Sequence, residues 1–188
     1  MKKRIRERKL IRLPGWDYRC AATYFVTICT SDRQPFFGDI HNGSMCLSKI
    51  GTLAQSEWLK TATIRTDMNV RLGAFVILPN HIHGIIAIGH NKFNTVNGVI
   101  SCRATMHCGP TEPMKTPPSQ FGPQSKNLAS IIRGYKSAVT KQAHQIDPHF
   151  AWQSRYHDHI IRNPDSRHMV EMYIRNNINQ WVQDRLYI

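Results

Sequence analysis

Two apolar segments joined by only two residues constrain the fold of this chain more than any other feature. The segments are residues 70–78 and 81–88, and Pro79-Asn80 separates them. Each has the length of a β-strand, and so short a connection is typical of a tight turn between antiparallel strands. The second segment is apolar on both of its alternating sets of positions, which is typical of a strand buried within a sheet. The sequence therefore predicts a β-hairpin with residues 81–88 as a central strand.

The apolar spacing of the remaining chain predicts further elements on both sides of this hairpin. In chain order they are a strand at residues 22–30, a helix that begins after Ser48, the hairpin, a helix from Leu128, a strand at residues 151–161 and a helix that opens at Asn163-Pro164-Asp165. The order strand, helix, strand, strand, helix, strand, helix predicts an α+β fold. We expect a ferredoxin-like sandwich, with a four-stranded antiparallel sheet, helices packed on it and a C-terminal helix.

The length of 188 residues, with 41% hydrophobic residues, suits a single domain that spans residues 1–188 and has one core. Two parts of this domain lack a periodic apolar pattern. Residues 1–20 form a predicted basic arm, because residues 2–12 carry seven Lys or Arg against one Glu. Residues 89–125 contain five of the ten prolines and form a predicted flexible insertion.

The charge balance points to a polyanionic partner. Lys and Arg number 25 against 12 Asp and Glu, which leaves a formal charge of +13, and nucleic acid is the first candidate. The N-terminal residues lack the apolar run of a signal peptide, and no apolar segment reaches the length of a membrane span. We expect a cytoplasmic, nucleoid-associated protein that does not contact membranes. Five cysteines without paired spacing favour reduced thiols over a disulfide framework or a thiolate zinc site.

Two histidines at the start of the predicted central strand form a candidate metal site. His81 and His83 are two positions apart, so both imidazoles project from the same face of a strand. Polar side chains in an apolar strand are costly unless they have partners, and histidine is the commonest metal ligand. The competing interpretation is a chance pair in a chain with ten histidines.

The last predicted helix supplies a candidate nucleophile and a third ligand. Tyr173 and Asn177 are four residues apart, so their side chains lie one turn apart on the same helix face. In the alternative interpretation Tyr173 is an ordinary core residue. Tyr135 is an alternative nucleophile, although Ala138 and Val139, which follow it at helical spacing, cannot bind a metal.

With these residues the chain resembles the single-tyrosine HUH transposases, and among them the REP-associated tyrosine transposases. The resemblance rests on Tyr24-Phe-Val-Thr-Ile-Cys-Thr30, Leu78-Pro-Asn-His-Ile-His-Gly84, Ile131-Ile-Arg-Gly-Tyr-Lys-Ser-Ala-Val-Thr140, Trp152-Gln153, His159-Ile-Ile-Arg-Asn163 and Tyr173-Ile-Arg-Asn-Asn177. It implies that His81, His83 and Asn177 hold Mg²⁺ or Mn²⁺ and that Tyr173 is the nucleophile. Such an enzyme cuts and rejoins single-stranded DNA beside palindromic hairpins through a 5′-phosphotyrosine. Ile178 departs from the pattern, since relatives often have proline there.

Basic and aromatic side chains outside the motifs are candidates for DNA contacts. Arg133, Lys136, Arg155 and Arg162 are the candidate phosphate contacts, and Trp16, Tyr18 or Tyr156 could stack on unpaired bases. The sequence leaves open whether the protein is a monomer or a homodimer. It also leaves two alternative functions, namely a catalytically silent, domesticated protein that binds single-stranded DNA hairpins, and a phosphodiester hydrolase without a covalent intermediate.

Overall fold

The computed structural model describes residue 13 and residues 16–96, 99–100, 125–184 and 186. Most of the predicted basic arm, and residues 101–124 of the predicted insertion, therefore lie outside the described residues. In chain order the helices and strands are β1 (Ala22–Cys29), β2 (Gly38–His41), β3 (Ser44–Leu47), α1 (Lys49–Ile64), β4 (Val70–Leu78), β5 (His81–Ile88), β6 (Thr95–Val96), β7 (Val99–Ile100), α2 (Leu128–Ala143), β8 (His157–Ile161) and α3 (Pro164–Asn176).

Four strands form one antiparallel sheet in the order β4-β5-β1-β8. With α1 and α2 these strands make the β-α-β-β-α-β succession of a ferredoxin-like sandwich, so the predicted fold class is confirmed. The predicted hairpin is present as β4 and β5, and Leu78 pairs with His81 across the Pro79-Asn80 turn. The position of β5 between β4 and β1 explains why its residues are apolar on both faces.

The two faces of the sheet carry different helices. On one face, Trp58 of α1 and Tyr135 of α2 belong to the main core, together with Ile82 and Ile86 of β5. Gly84 permits this packing, because a Cβ atom there would lie 2.3 Å from Cζ2 of Trp58.

On the other face, Ile174 of α3 packs in a smaller cluster with Val76, Leu78, Ile85 and Ile161. Odd-numbered residues of β5 point towards α3 because side chains alternate along a strand. His81 and His83 therefore lie on the α3 face of the sheet.

Three local features differ from the sequence-based expectation. The segment between β1 and α1 forms a hairpin, β2–β3, where the apolar spacing predicted neither a strand nor a helix. The last strand begins at His157, and of the predicted residues before it Trp152 makes an isolated bridge with Thr30. The start of the predicted insertion contains the two-residue strands β6 and β7, and Asn94 Nδ2 ties it to the carbonyl oxygens of Arg19 and Gly89.

The expectation of reduced cysteine thiols is confirmed for some of the cysteines. Cys29 and Cys46 are free thiols, and burial raises the pKa of Cys29. The expectation is wrong at Cys20, which is disulfide-bonded. Spacing along the chain cannot reveal such a pair, because bridging depends on which residues the fold brings together. In the part of the chain that the structure describes, no helix is long and apolar enough to cross a membrane.

Candidate active site

The two histidines predicted as metal ligands face each other in the interior of the protein. His81 and His83 are 0% and 4% exposed, and their Nε2 atoms lie 3.0 Å apart. Two ligand atoms at right angles around a cation, with bonds of about 2.1 Å, are separated by about 3.0 Å. The spacing of the two nitrogens therefore fits adjacent positions around one divalent cation.

The outer nitrogens of the two rings have polar partners that fix the rings in place. Nδ1 of His81 lies 2.7 Å from Oδ1 of Asn80, and Nδ2 of Asn80 donates to the carbonyl oxygen of Leu186 at 2.9 Å. Because Oδ1 of Asn80 can only accept, Nδ1 of His81 carries the proton and its Nε2 presents a lone pair. Nδ1 of His83 lies 2.8 Å from Oγ1 of Thr27, the residue beside it on β1. Such outer partners orient metal-binding histidines.

Burial keeps both histidines neutral. Desolvation lowers the pKa of His81 to about 3, and the proximity of His83 adds to the effect. Desolvation likewise lowers the pKa of His83 to about 4, and Asp184 opposes the shift at both rings. A neutral imidazole is the form that binds a metal, so at pH 7 the pair is ready to act as ligands.

Tyr173 reaches the histidine pair from α3. Asn163 caps the start of this helix by accepting from the Ser166 N–H, and Pro164 occupies the first helical position. Oη of Tyr173 lies 3.2 Å from Nε2 of His83, and the side chain is 41% exposed. Its ring stands perpendicular to that of Phe25, with the centroids 6.0 Å apart. Tyr173 is thus a half-exposed side chain at the histidine site, as the nucleophile hypothesis requires.

The alternative nucleophile lies elsewhere. Tyr135 is buried in the main core on the opposite face of the sheet, and its hydroxyl donates to the carbonyl oxygen of Ala54 at 3.0 Å. Burial raises the pKa of this phenol well above its usual value. The structure therefore does not bring Tyr135 to the histidines.

Asn177 carries a buried oxygen that lacks a partner. The residue caps the end of α3 and is 2% exposed, and its Nδ2 donates to Oδ2 of Asp184 at 3.3 Å. Its Oδ1 makes no hydrogen bond. A buried polar atom without a partner costs about 1–3 kcal/mol, and a bound cation would satisfy it. This is the behaviour expected of the predicted third ligand.

Asp184 is a functional candidate that sequence reasoning missed. It follows a short turn of 3₁₀-helix, Trp181–Gln183, which folds the chain back towards α3. Its Oδ2 lies 3.3 Å from Oη of Tyr173, and its ligand oxygen and those nitrogens of His81 and His83 that could bind a metal all lie within 4.8 Å of one another. Burial opposes ionisation of this carboxyl, but the Leu186 N–H and the nearby histidines outweigh burial and lower its pKa.

The donor set fits a divalent cation. Two imidazole nitrogens and a carboxylate oxygen lie within 4.8 Å of one another, and Asn177, whose amide oxygen lacks a partner, is hydrogen-bonded to that carboxylate. Oxygen ligands suit Mg²⁺ and Mn²⁺, and imidazole suits the later transition metals, so the mixture by itself does not select one ion. The site is consistent with a metal held by His81, His83 and Asp184, with Asn177 adjoining it.

The candidate DNA contacts lie at several places on the molecule. Arg133, Arg155 and Arg162 are exposed. Lys136 lies partly buried over the ring of Trp152, and its Nζ donates to the carbonyl oxygens of Gln153 and Arg155 at 2.7 and 3.0 Å. It thus ties α2 to the segment before β8.

The aromatic residues proposed to stack on bases are less available than we expected. Tyr18 is buried against Tyr24, with ring centroids 5.7 Å apart, so this expectation is wrong for Tyr18. The ring belongs to the main core, and the carbonyl oxygen of Tyr18 accepts from the Leu128 N–H at the start of α2 at 3.1 Å. Trp16 and Tyr156 are half-buried against the same core.

Comparison with known proteins places these features in a family. No protein-family model matches the chain. An uncharacterised protein of Haemophilus influenzae is 35% identical over 185 residues, which cover 98% of this chain and 95% of that protein. The chain therefore belongs to the same family as the Haemophilus protein.

A solved structure identifies the fold. A REP-associated tyrosine transposase bound to a REP hairpin superposes with a TM-score of 0.52, over 92% of this chain and 75% of its own, at 20% sequence identity. This chain has the fold of a REP-associated tyrosine transposase. The resemblance expected from the sequence is confirmed at the level of the fold. Within this fold, the histidine pair of this chain lies on the central strand β5, and Tyr173 reaches the pair from α3, the helix after β8.

Proposed function

We propose that the protein is a metal-dependent transposase that cuts and rejoins single-stranded DNA beside palindromic, REP-like hairpins. One observation carries the proposal: the hydroxyl of the half-exposed Tyr173 lies 3.2 Å from a nitrogen of the buried histidine pair. The fold shared with a transposase bound to a hairpin supports the choice of substrate. With such a substrate, the proposal includes action in the cytoplasm, at the nucleoid.

The first step is attack by the Tyr173 oxygen on the scissile phosphorus. A tyrosine hydroxyl ordinarily has a pKa of about 10, so it needs a group that accepts its proton. The carboxylate of Asp184, 3.3 Å away, is placed to do so. A bond forms between Oη and phosphorus while the bond from phosphorus to the 3′-oxygen breaks, and the leaving oxygen takes up a proton. A 5′-phosphotyrosine and a free 3′-hydroxyl result.

His81, His83, Asp184 and Asn177 are the residues that would hold the cation, Mg²⁺ or Mn²⁺. When bound, a divalent cation supplies positive charge to the phosphate oxygens as negative charge develops on them. The chain itself positions the nucleophile, because α3 is anchored by Ile174 in the smaller core cluster one residue after Tyr173.

Rejoining reverses the first step. A 3′-hydroxyl attacks the phosphotyrosine, the bond to Oη breaks, and Tyr173 recovers its proton. The phosphotyrosine retains the energy of the cut linkage, so no nucleotide cofactor is required. Arg133, Arg155 and Arg162 would hold the strand through its phosphates, each contributing about −0.7 to the slope of log affinity against log salt. Lys136, the fourth predicted contact, donates instead to the carbonyl oxygens of Gln153 and Arg155.

The test uses labelled single-stranded DNA hairpins with the purified chain and Mn²⁺. A covalent protein–DNA adduct is expected on denaturing gels. Tyr173→Phe should abolish the adduct, and the matched change Tyr135→Phe should leave it in place.

Three other outcomes would overturn the proposal. An adduct lost only in Tyr135→Phe would move the nucleophile to α2. Cleavage without any adduct would indicate a hydrolase. Hairpin binding that is unaffected by EDTA, with no cleavage in any metal, would indicate a silent DNA-binding protein.

A further inference from the structure

A cavity lies beside Asn80 and Trp181, two residues that contact His81. Its volume is about 630 Å³, within the range of small-molecule sites. Its walls come from separate parts of the chain: residues 32–35 after β1, the β2–β3 hairpin, the Pro79-Asn80 turn and residues 178–182 after α3. The β2–β3 hairpin is an addition to the β-α-β-β-α-β succession of the fold, and it forms part of the cavity wall.

Two residues join the cavity to the candidate active site. Asn80 lines the cavity and also accepts from Nδ1 of His81. Trp181 lines it too, and its ring lies 5.8 Å from the His81 ring at an angle of 33°. A DNA strand whose phosphate reaches the histidine site therefore has the cavity beside it.

The groups that line the cavity suit a nucleobase better than a phosphate. Its charged side chains are the carboxylates of Asp32 and Asp39 and the guanidinium of Arg33. Carboxylates accept hydrogen bonds from the exocyclic amino groups of bases but repel phosphate. The amides of Gln34 and Asn179 can pair with the remaining base edge.

The indole of Trp181, whose ring also lies against His81, forms part of the cavity wall, and aromatic side chains are surfaces on which bases stack. Stacking of this kind adds affinity for each base and tolerates any base. The stacking surface therefore supplies affinity, and the two carboxylates supply the choice among bases.

The loop on one side of the cavity is held in a strained conformation. Asp32 and Arg33 have φ angles of 50° and 56°, which residues other than glycine rarely adopt. Thr30, 1% exposed, holds the loop with its hydroxyl 2.7 Å from the carbonyl oxygen of Gln34 and 2.9 Å from that of Asn80. Residues held in such backbone conformations cluster at ligand-binding sites.

We propose that this cavity binds the base of one unpaired deoxynucleotide next to the scissile phosphate, and that adenine, cytosine or guanine is preferred to thymine. Thymine is the base that lacks an exocyclic amino group for Asp32 or Asp39. The inference rests on the proposed function, because it takes single-stranded DNA as the substrate.

The experiment titrates the full chain with dAMP, dCMP, dGMP and dTMP in EDTA and follows the indole N–H of Trp181 and the side-chain amide of Asn179 by NMR. We expect saturable shifts with at least one amino-bearing nucleotide and a Kd in the millimolar range. The Kd for dTMP should be about fivefold weaker, as expected when one hydrogen bond is missing. No shift with any of the four, or binding of dTMP as tight as the best of them, would overturn the inference.

Two variants separate the cavity from the surface around it. Asn179→Ala removes an exposed amide of the cavity wall, and Asn176→Ala removes an equally exposed amide that does not line it. The first should weaken nucleotide binding about fivefold and the second should leave it unchanged. Equal effects of the two would contradict the inference.

The outcome is independent of the Tyr173 adduct. Nucleotide binding without any adduct would support nucleotide binding in the cavity and contradict the transposase function. An adduct without nucleotide binding would support the transposase function and contradict nucleotide binding in the cavity.

Discussion

The proposed chemistry depends strongly on Asp184, a residue that no pattern in the sequence indicated. It combines a place among the candidate metal ligands with a hydrogen bond from the Tyr173 hydroxyl. No periodic pattern marks it, because it lies after α3 in a turn whose direction is set by packing. In contrast, His81 and His83 could be predicted as candidate ligands, because burying two polar side chains in an apolar strand is costly unless they have partners.

The change Asp184→Asn tests this role. We expect adduct formation in Mn²⁺ to fall at least about tenfold, because the change removes both a ligand and the acceptor of the phenolic proton. The pH at which the rate is half-maximal should also rise. Glu171→Gln, which removes a carboxylate paired with Arg167 on α3, is the matched control and should leave the rate unchanged. An unaltered rate and pH profile in Asp184→Asn would contradict the role.

The buried histidines predict an acid-sensitive fold in EDTA. Their pKa values are about 3 and about 4 in the folded chain, against about 6.5 when unfolded. Between these values the unfolded state binds more protons, so the free energy of unfolding falls as the pH falls from 7 towards 4. The slope for each histidine is at most about 1.4 kcal/mol per pH unit.

Urea unfolding at a series of pH values measures this effect. Replacing both histidines by Gln should flatten the dependence across that range. If the free energy of unfolding of the double variant depended on pH as steeply as that of the parent, titratable groups other than the two histidines would cause the acid sensitivity.

At the scale of elements, the close contact between α1 and β5 explains why the histidine strand contains a glycine. Gly84→Ala places a methyl group 2.3 Å from Cζ2 of Trp58, and Trp58 is fully buried, so α1 must shift. We expect a loss of about 1–3 kcal/mol in the free energy of unfolding, measured by urea denaturation.

Gly134→Ala is the matched control for this change. The new methyl group meets the terminal Nη2 of Arg65, which can move, and alanine favours a helix over glycine by about 1 kcal/mol. This variant should be at least as stable as the parent. Equal losses in the two variants would mean that the contact with Trp58 is not what requires glycine at position 84.

The elements that could be predicted are those with a long periodic pattern. The β4–β5 hairpin and the three helices follow from apolar spacing and caps, and Ser48 and Asn163 cap α1 and α3 as expected. The β2–β3 hairpin is short, and each strand has four residues. Its signal was nevertheless present, since Asn42-Gly43 is a preferred two-residue turn and both residues have positive φ.

For the whole molecule, the positive charge is proposed to hold the strand while the buried site cuts it. Arg155 and Arg162 are exposed around β8, whereas Arg71 is exposed on β4 at the opposite edge of the sheet. Alanine at Arg155 or at Arg162 should reduce the salt slope of single-strand binding by about 0.7 for each phosphate that the variant no longer neutralises. Alanine at Arg71 should not change the slope. The same reduction in all three would indicate that net charge alone matters.

The site is assembled from residues that lie between positions 27 and 184, so only the folded chain shows that they meet. Thr27, His83, Tyr173 and Asp184 come from β1, β5, α3 and the segment after α3. Local patterns in the sequence predict three of the candidate ligands, His81, His83 and Asn177, and the candidate nucleophile Tyr173. It could not identify Asp184 or the cavity beside His81, which exist only after the last turn folds back.

The most direct test of the central claim is peptide mapping of the covalent adduct. The chain is incubated with a single-stranded DNA hairpin and Mn²⁺, the DNA is digested, and the modified peptide is identified by mass spectrometry. The proposal predicts a nucleotide joined through its 5′-phosphate to Tyr173, with a free 3′-hydroxyl on the released strand. A nucleotide on any other residue, or cleavage that leaves every peptide unmodified, would contradict it.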